Sequence, residues 1–197
     1  MAATTTYKAH SIIGRQNQNF SMVERAMGES FGRLAPALQQ FHRLDGHRVL
    51  VGEVRIHAPK SFFARLLARL LGTPLAASEG AIRFELDAQP TSETWTRFFP
   101  SHVMSSRLQL VENRIVENLG AARLRFTLVE KNAQLQMQLC RLQLFGVPSP
   151  RWLMPELVAE ETGHGDRVQF QVRAIVPYIG LVAGYEGYLL LPKVASA

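Results

Sequence analysis

A serine between two glycines is the first pattern in this chain that matches a catalytic motif. Gly28, Ser30 and Gly32 fit the G-x-S-x-G arrangement, in which a nucleophilic serine stands on a sharp turn between a strand and a helix. Here the motif follows a helical pattern, and the sequence predicts no parallel sheet around it. We therefore interpret it as a helix end with conformationally permissive glycines, and we predict no catalytic residue.

A second pattern brings two histidines close to a carboxylate. His42 and His47 flank Asp45, a spacing that suits a site of two imidazoles and one carboxylate. A helix end at His42 and a turn at Asp45 explain the same residues without a metal. The single cysteine, Cys140, excludes a multi-cysteine metal centre. No glycine-rich phosphate loop is present either, so we predict neither a metal nor a cofactor.

Arginines close to aromatic residues form the main candidate binding site. Arg97 lies two residues after Trp95, and Arg107 lies on the following predicted strand. If both arginines point inward, they can bind the carboxylate or phosphate head of an apolar ligand in a bidentate manner. Salt bridges at the surface are the alternative for the same two residues.

Four other residues are added to this candidate ligand site. Arg151 and Trp152 stand beside prolines and offer a stacking surface. Tyr185 carries a polar tip that needs a partner when it is buried. His42 supplies a group that titrates near neutral pH.

Alternating apolar and polar residues predict that these side chains are positioned by β-strands. About ten strands follow one another from residue 49 onward, with short connections that suit antiparallel neighbours. Between them we expect a tight turn at Lys131 and Asn132, and a bulge at Cys140, where the alternation slips by one residue. Residues 20–45 are predicted to be helical, with Ser21 and Glu24 forming a capping box.

So many consecutive strands in one small domain must curl or stack, because a long open sheet leaves its edges exposed. We predict a mainly β (α+β) fold, an antiparallel β-barrel or strongly curved half-barrel with N-terminal helices and one apolar helix packed on it. A two-sheet β-sandwich is the alternative. Residues 1–19 are predicted to form a flexible tail, and residues 20–197 a single β-rich domain.

Residues 61–71 form the clearest predicted helix of the chain. Ser61 can cap it, Gly72 ends it, and large apolar side chains cover one wide face. The residues on this face that we assign to packing or to a lid are Phe62, Phe63, Leu66, Leu67 and Leu70. The face can pack on the barrel, cover its mouth, or contact an anionic membrane with help from nearby cations.

Composition narrows the class of protein. The chain carries 22 basic and 16 acidic residues, but the basic residues are spread along its length. A nucleic-acid-binding protein usually shows a clustered basic stripe, so no nucleic-acid partner is predicted. The sequence contains no apolar run that approaches the ~20 residues of a membrane span and no secretory signal, which favours the cytoplasm.

Several segments resemble a bacterial family of domains of unknown function, DUF4166. The similar region covers residues 34–192, and its most specific part is the block LFGVPSPRWLMP at residues 144–155. Pro36, Phe62, Trp95 and the run YEGYL at residues 185–189 also fit. The resemblance implies that, in some relatives, such a domain follows a saccharopine-dehydrogenase-like or reductase-like domain. It implies no catalytic residues.

The function we predict is non-catalytic binding of a hydrophobic, lipid-like and acidic small molecule. We therefore expect a binding protein and not an enzyme. One alternative is an enzyme or accessory domain that works with a separate reductase-like protein. A pocket in which His42, Glu117 or Glu160 approaches the arginines would favour it. The other alternative is a protein-interaction module, which an exposed apolar patch would favour.

Overall fold

The structure is a computed structural model that describes residues 20–192, so the predicted tail at residues 1–19 lies outside the described residues. The α-helices are α1 (Met22–Met27), α2 (Pro36–His42) and α3 (Phe62–Leu71), and two short 3-10 helices span Gly28–Arg33 and Arg151–Leu153. The strands are β1 (Gly46–Ile56), β2 (Ser78–Gln89), β3 (Ser92–Phe99), β4 (His102–Val111), β5 (Arg114–Leu119), β6 (Ala122–Lys131), β7 (Gln134–Leu144), β8 (Val147–Pro148), β9 (Glu156–His164), β10 (Arg167–Val176) and β11 (Gly180–Leu190).

The strands close into an antiparallel barrel of ten strands. From β1 to β7 each strand pairs with the next along the chain, β7 then pairs with β9, and β11 returns to pair with β1. The two-residue strand β8 lies beside β7 as an extra strand. Closure removes the exposed edges that an open sheet of this size would have. The predicted barrel is confirmed, and the half-barrel and the sandwich are both wrong.

Alternation along each strand decides which side chains enter the barrel. On β2, Ile82, Phe84 and Leu86 are buried inside. The same parity on β3 turns Glu93 and Arg97 inward together with Trp95 and Phe99, so this strand brings charged groups into the interior. The interior is therefore apolar except at a few defined positions.

Two predicted irregularities can be compared with the register. The bulge at Cys140 is confirmed, because Phe126 pairs with Leu139 while Arg125 pairs with Arg141. The turn between β6 and β7 lies one residue later than the predicted position at Lys131 and Asn132. Its two central residues are Asn132 and Ala133, with φ of 55° and 61°. A type I′ turn needs a positive φ at both central residues, and an alanine at the second one does not mark the turn in the sequence as a glycine would.

The N-terminal helices begin as predicted and end earlier. Ser21 accepts a hydrogen bond from the Glu24 amide, and the Glu24 carboxylate accepts one from the Ser21 amide, which is the predicted capping box. Gly28 ends α1 with a φ of 57°, and the chain continues as a 3-10 helix. Helix α2 ends at His42, short of the predicted limit at residue 45, because β1 already begins at Gly46.

Helix α3 packs on the barrel, but through a different face than its large side chains suggest. Ala64 and Ala68 are the buried residues, and they contact Val182 of β11. Small side chains allow the helix backbone to approach the strand closely, which positions Phe62 and Phe63 on the outside. Phe62, Phe63 and Leu66 are exposed, so the packing alternative is wrong for these three residues, and a lid or a membrane contact stays a prediction.

Strands β1 and β11 approach each other at a glycine that tolerates no side chain. A Cβ atom on Gly187 would overlap the carbonyl oxygen of Glu53 on the facing strand. We expect Gly187→Ala to lower the free energy of unfolding by about 1–3 kcal/mol, because the strands must separate to admit the methyl group. Urea denaturation measures this. The control is Gly32→Ala, where no atom lies within 4 Å of the added methyl group, and equal losses in both variants would contradict the prediction.

Candidate functional site

The two ends of the barrel are built differently. Helix α2 closes one end, where Phe41 packs against Phe84 and Trp95 with ring centroids 5.9 and 6.4 Å apart. The Ala35 amide also donates to the Ala133 carbonyl of the β6–β7 turn. We call this the closed end. The opposite end, which we call the mouth, carries α3 and the long connection between β7 and β9.

An internal cavity of about 440 Å³ lies between these ends. Its walls are mostly aliphatic and aromatic side chains from almost every strand. Apolar lining residues include Ile82, Phe84, Met104, Leu119, Phe126, Met137, Leu157, Phe170, Val172 and Leu189. At the mouth, Leu67 and Leu71 of α3 and Leu153 of the β7–β9 connection complete the lining. Cavities of this size and lining are typical of small-molecule sites.

The barrel wall is incomplete between β7 and β9. These strands pair at only two positions, Leu135 with Glu161 and Gln136 with Glu160, both near the closed end. Towards the mouth they diverge, and residues 145–155, which we call the strap, cross the gap. Six residues of the strap line the cavity from this side, namely Val147, Pro148, Ser149, Pro150, Leu153 and Pro155. The strap therefore stands where strand pairing would otherwise seal the wall.

Arg97 places a guanidinium on the wall of this apolar cavity. The side chain is buried, with 7% of its residue surface exposed. It lies over the rings of Trp95 and Phe84, at 5.1 and 5.8 Å from their centroids, and donates one hydrogen bond of 3.3 Å to the Ser106 hydroxyl. Among the described residues no carboxylate lies within the 4.0 Å of an ion pair. A buried guanidinium with one neutral acceptor still has donors to satisfy.

A second polar group lies below the cavity at the closed end. His42 Nε2 and Glu161 Oε2 are 2.7 Å apart, and both side chains are buried. Burial alone would lower the pKa of His42, but the carboxylates of Glu161 and Glu93 outweigh it and leave the pKa raised. Glu161 lines the cavity and His42 does not. The pair is thus an internal ion pair whose acidic member borders the cavity.

Two more groups are buried near this cavity: Tyr185 lines it, and Glu93 lies beside the lining residue Trp95 without lining it. Burial raises the pKa of the Tyr185 hydroxyl, while the positive charge of Arg97 opposes that rise. Burial also raises the pKa of the Glu93 carboxyl, which accepts a hydrogen bond of 2.7 Å from the indole of Trp95. A raised pKa extends the pH range over which Tyr185 and Glu93 are neutral, and Arg97 is the cation that lines the cavity.

The structure brings together some of the predicted site residues and separates the others. Arg97, Trp95 and Tyr185 line the cavity, and His42 stands behind its floor. Arg107 is exposed on the outer face of β4, so the expectation that both arginines point inward holds for Arg97 alone. Successive side chains of a strand point to opposite faces, and Arg107 directly follows the inward-facing Ser106.

The remaining predicted residues lie at the mouth. Arg151 and Trp152 are exposed on the strap and do not line the cavity. Of the α3 residues, Leu67 lines it, Leu70 is half-buried, and Phe62, Phe63 and Leu66 point away. Sequence reasoning missed Ser106 and Glu161. Glu117 and Glu160, which it considered, both line the cavity, and Glu160 accepts a hydrogen bond of 2.9 Å from the side-chain amide of Gln136.

Neither motif considered for catalysis or metal binding forms a site. Ser30 lies in a 3-10 helix and donates a hydrogen bond of 2.7 Å to the Met27 carbonyl. Asp45 pairs with Arg48 at 2.8 Å, away from the buried His42. Across residues 20–192, no cluster of three or more His, Cys, Asp or Glu residues is arranged to hold a metal ion. The described helices also include none with the length and apolar character to cross a membrane; the cytoplasmic location stays a prediction.

Comparison with known proteins gives a family match and similarity to solved structures. No curated protein matches the chain. A solved structure titled "Crystal Structure of Rv2717c from M. tuberculosis" is similar over 81% of this chain and 99% of its own, with 13% identity and a TM-score of 0.45. The family described as "Domain of unknown function (DUF4166)" matches residues 34–189, which include the cavity, the strap and α3. The chain belongs to the DUF4166 family.

Proposed function

We propose that this barrel is a non-catalytic binding domain for an apolar small molecule with an acidic head group, such as a long-chain carboxylic acid. The observation that carries the proposal is the position of Arg97, a buried guanidinium without a carboxylate partner in the described residues, on the wall of an apolar cavity. A cavity of about 440 Å³ is within the range of small-molecule sites.

The energetics of Arg97 favour an anionic partner. Removing a guanidinium from water is costly unless hydrogen bonds and an opposite charge replace the lost hydration. Ser106 supplies one neutral acceptor, and the rings of Trp95 and Phe84 supply cation–π contacts. A ligand carboxylate can accept two parallel hydrogen bonds from the guanidinium and provide the missing charge. The rings also limit the positions that the guanidinium can adopt, which favours one ligand orientation.

The apolar lining accounts for the rest of the ligand. Apart from Arg97 and the glutamates Glu117, Glu160 and Glu161, the cavity is lined mainly by aliphatic and aromatic side chains, with Leu67 and Leu153 at the mouth. An alkyl chain placed there loses contact with water, which contributes about 0.8 kcal/mol per buried CH₂ group. The ligand class that fits is therefore a charged head at Arg97 with an apolar tail towards the mouth.

Native mass spectrometry of the purified full-length protein, followed by organic extraction, tests the proposal. We expect a co-purifying apolar acid, or, after delipidation, saturable binding of dodecanoate. The Trp152→Phe variant leaves Trp95 as the single tryptophan, so its fluorescence reports occupancy of the cavity. A protein that carries no apolar acid and shows no saturable response to dodecanoate would contradict the proposal.

Filling the cavity should prevent this binding without unfolding the barrel. Ala159 of β9 lines the cavity, and we expect Ala159→Phe to weaken dodecanoate binding on the order of tenfold or more, because its ring occupies space that the tail needs. The matched control is Ala81→Phe, which adds the same ring to the exposed outer face of β2. Thermal unfolding checks that both variants fold, and equal affinities in the two would argue against the cavity as the binding site.

A further inference from the structure

The mouth is a single continuous surface built from five connections. Antiparallel topology places at this end the segments 57–77, 100–101, 120–121, the strap and 177–179. Hydrogen bonds link these segments to one another: Ser61 Oγ to the Ile179 carbonyl at 2.7 Å, the Ala121 amide to the Leu70 carbonyl at 3.0 Å, and the Phe145 amide to the Ala121 carbonyl at 2.9 Å. Four of the five segments, all except 100–101, are therefore joined by hydrogen bonds.

Large apolar side chains project from this surface into solvent. They come from α3, from the strap and from the β10–β11 turn, and their exposed fractions are 75% for Phe62, 65% for Phe63, 46% for Leu66, 67% for Phe145, 64% for Trp152 and 95% for Tyr178. On α3 the arrangement is the reverse of a helix packed in a soluble core, because the alanines are buried and the phenylalanines are exposed. Such a group of exposed apolar residues marks an interaction surface.

The charge of the same surface has one sign. The five connections contain Lys60, Arg65, Arg69 and Arg151, and they contain no aspartate or glutamate. All four cations are exposed, and none of them forms an ion pair with a described residue. All 16 acidic residues of the chain lie outside these connections. The aspartate, glutamate, lysine and arginine side chains within these five connections are thus all positively charged.

We propose that the mouth docks on the surface of an anionic lipid bilayer. Aromatic and leucine side chains enter the boundary between head groups and acyl chains, while the cations contact the anionic head groups. Charge complementarity favours this partner, since four exposed cations without any acid in the same connections match a uniformly negative surface. A second copy of the chain would instead bring like charges together. The inference stands on the outer surface of the mouth and does not depend on which ligand the cavity holds.

Flotation with lipid vesicles tests the proposal on the full-length protein. We expect the protein to float with vesicles of phosphatidylcholine and phosphatidylglycerol mixed about 7:3, and to bind pure phosphatidylcholine vesicles at least about tenfold more weakly. Binding to the mixed vesicles should fall as salt is raised, because the electrostatic contribution is screened. Equal binding to both vesicle types, or no binding to either, would overturn the proposal.

Matched variants separate the mouth from the rest of the surface. Phe62→Ser/Phe63→Ser and Arg65→Gln/Arg69→Gln should each weaken binding to the mixed vesicles on the order of tenfold. The controls, Val49→Ser/Val51→Ser and Arg107→Gln/Arg114→Gln, change exposed residues on the barrel exterior and should bind like the unaltered protein. All eight positions are exposed, so folding is retained in each case. If size-exclusion chromatography shows a dimer that Phe62→Ser/Phe63→Ser dissociates, the surface is a self-association interface and the proposal is wrong.

Discussion

Replacing Arg97 with methionine is expected to weaken the binding of dodecanoate on the order of 100-fold, which corresponds to about 2–3 kcal/mol. The guanidinium is the one fixed positive charge that we identify on the cavity wall, and it is held between Trp95, Phe84 and Ser106. Methionine fills a similar volume but offers no donor, so the ligand carboxylate would be buried without a partner. Fluorescence titration of the Trp152→Phe background measures the dissociation constant.

Two controls assign this effect to the charge at Arg97. First, 1-dodecanol has the same tail and no charge, so its affinity should change much less than that of dodecanoate. Second, Arg107→Met removes an exposed arginine from the neighbouring strand and should leave both affinities unchanged. If Arg97→Met weakens the acid and the alcohol equally, Arg97 shapes the cavity without recognising a head group, and the proposed ligand class is wrong.

The second large effect concerns stability at the closed end. We expect His42→Leu to lower the free energy of unfolding by about 3–5 kcal/mol, since it leaves the Glu161 carboxylate buried without its partner at 2.7 Å. The control is His57→Leu, which removes an exposed histidine that lies 3.4 Å from Glu186 and should cost at most about 1 kcal/mol. Urea denaturation measures both values.

The double variant His42→Leu/Glu161→Gln distinguishes a buried ion pair from simple packing. Once the carboxylate is replaced by a neutral amide, the unpaired charge is gone, so the double variant should be more stable than His42→Leu alone. If the losses in free energy of unfolding caused by His42→Leu and by Glu161→Gln add in the double variant, the pair contributes through packing and the ion-pair interpretation fails.

The pH dependence of stability follows from the same groups. The folded pKa of His42 is raised above its ordinary 6.5, so its contribution is complete below that value and is lost as pH rises through the folded pKa. Burial raises the folded pKa of Glu93 above 4.5, which has the same sign. The unaltered protein should therefore lose stability as pH rises above about 6.5, the ordinary pKa of histidine, and His42→Leu should lose less over the same rise, as urea denaturation at several pH values measures.

Strand periodicity is the part of the structure that the sequence specifies most directly. The alternation at Ile82, Phe84 and Leu86 is enough to predict a strand and its inner face, and a run of such strands leaves few architectures. The same parity rule identifies Arg97 as an inward residue beside Trp95. Applied to β4, it would also have placed Arg107 outside.

The parts that could not be predicted depend on contacts between distant segments. His42 and Glu161 are 119 residues apart, and no local pattern links them. Helix α3 was oriented wrongly because hydrophobicity alone favours burying Phe62 and Phe63. The close approach of β11 to Ala64 decides the orientation instead. The strap has no period at all, so the positions of Arg151 and Trp152 had no sequence rule to fix them.

The short pairing between β7 and β9 bears on the tendency of the protein to aggregate. Towards the mouth, the edge of β9 over residues 156–159 has no strand partner on the β7 side. An unpaired edge of this kind is a template for sheet extension by another chain. Pro148, Pro150 and Pro155 of the strap have no amide hydrogen to donate, and proline interrupts a growing β ladder. The prolines thus oppose the addition of a strand from another chain at this gap.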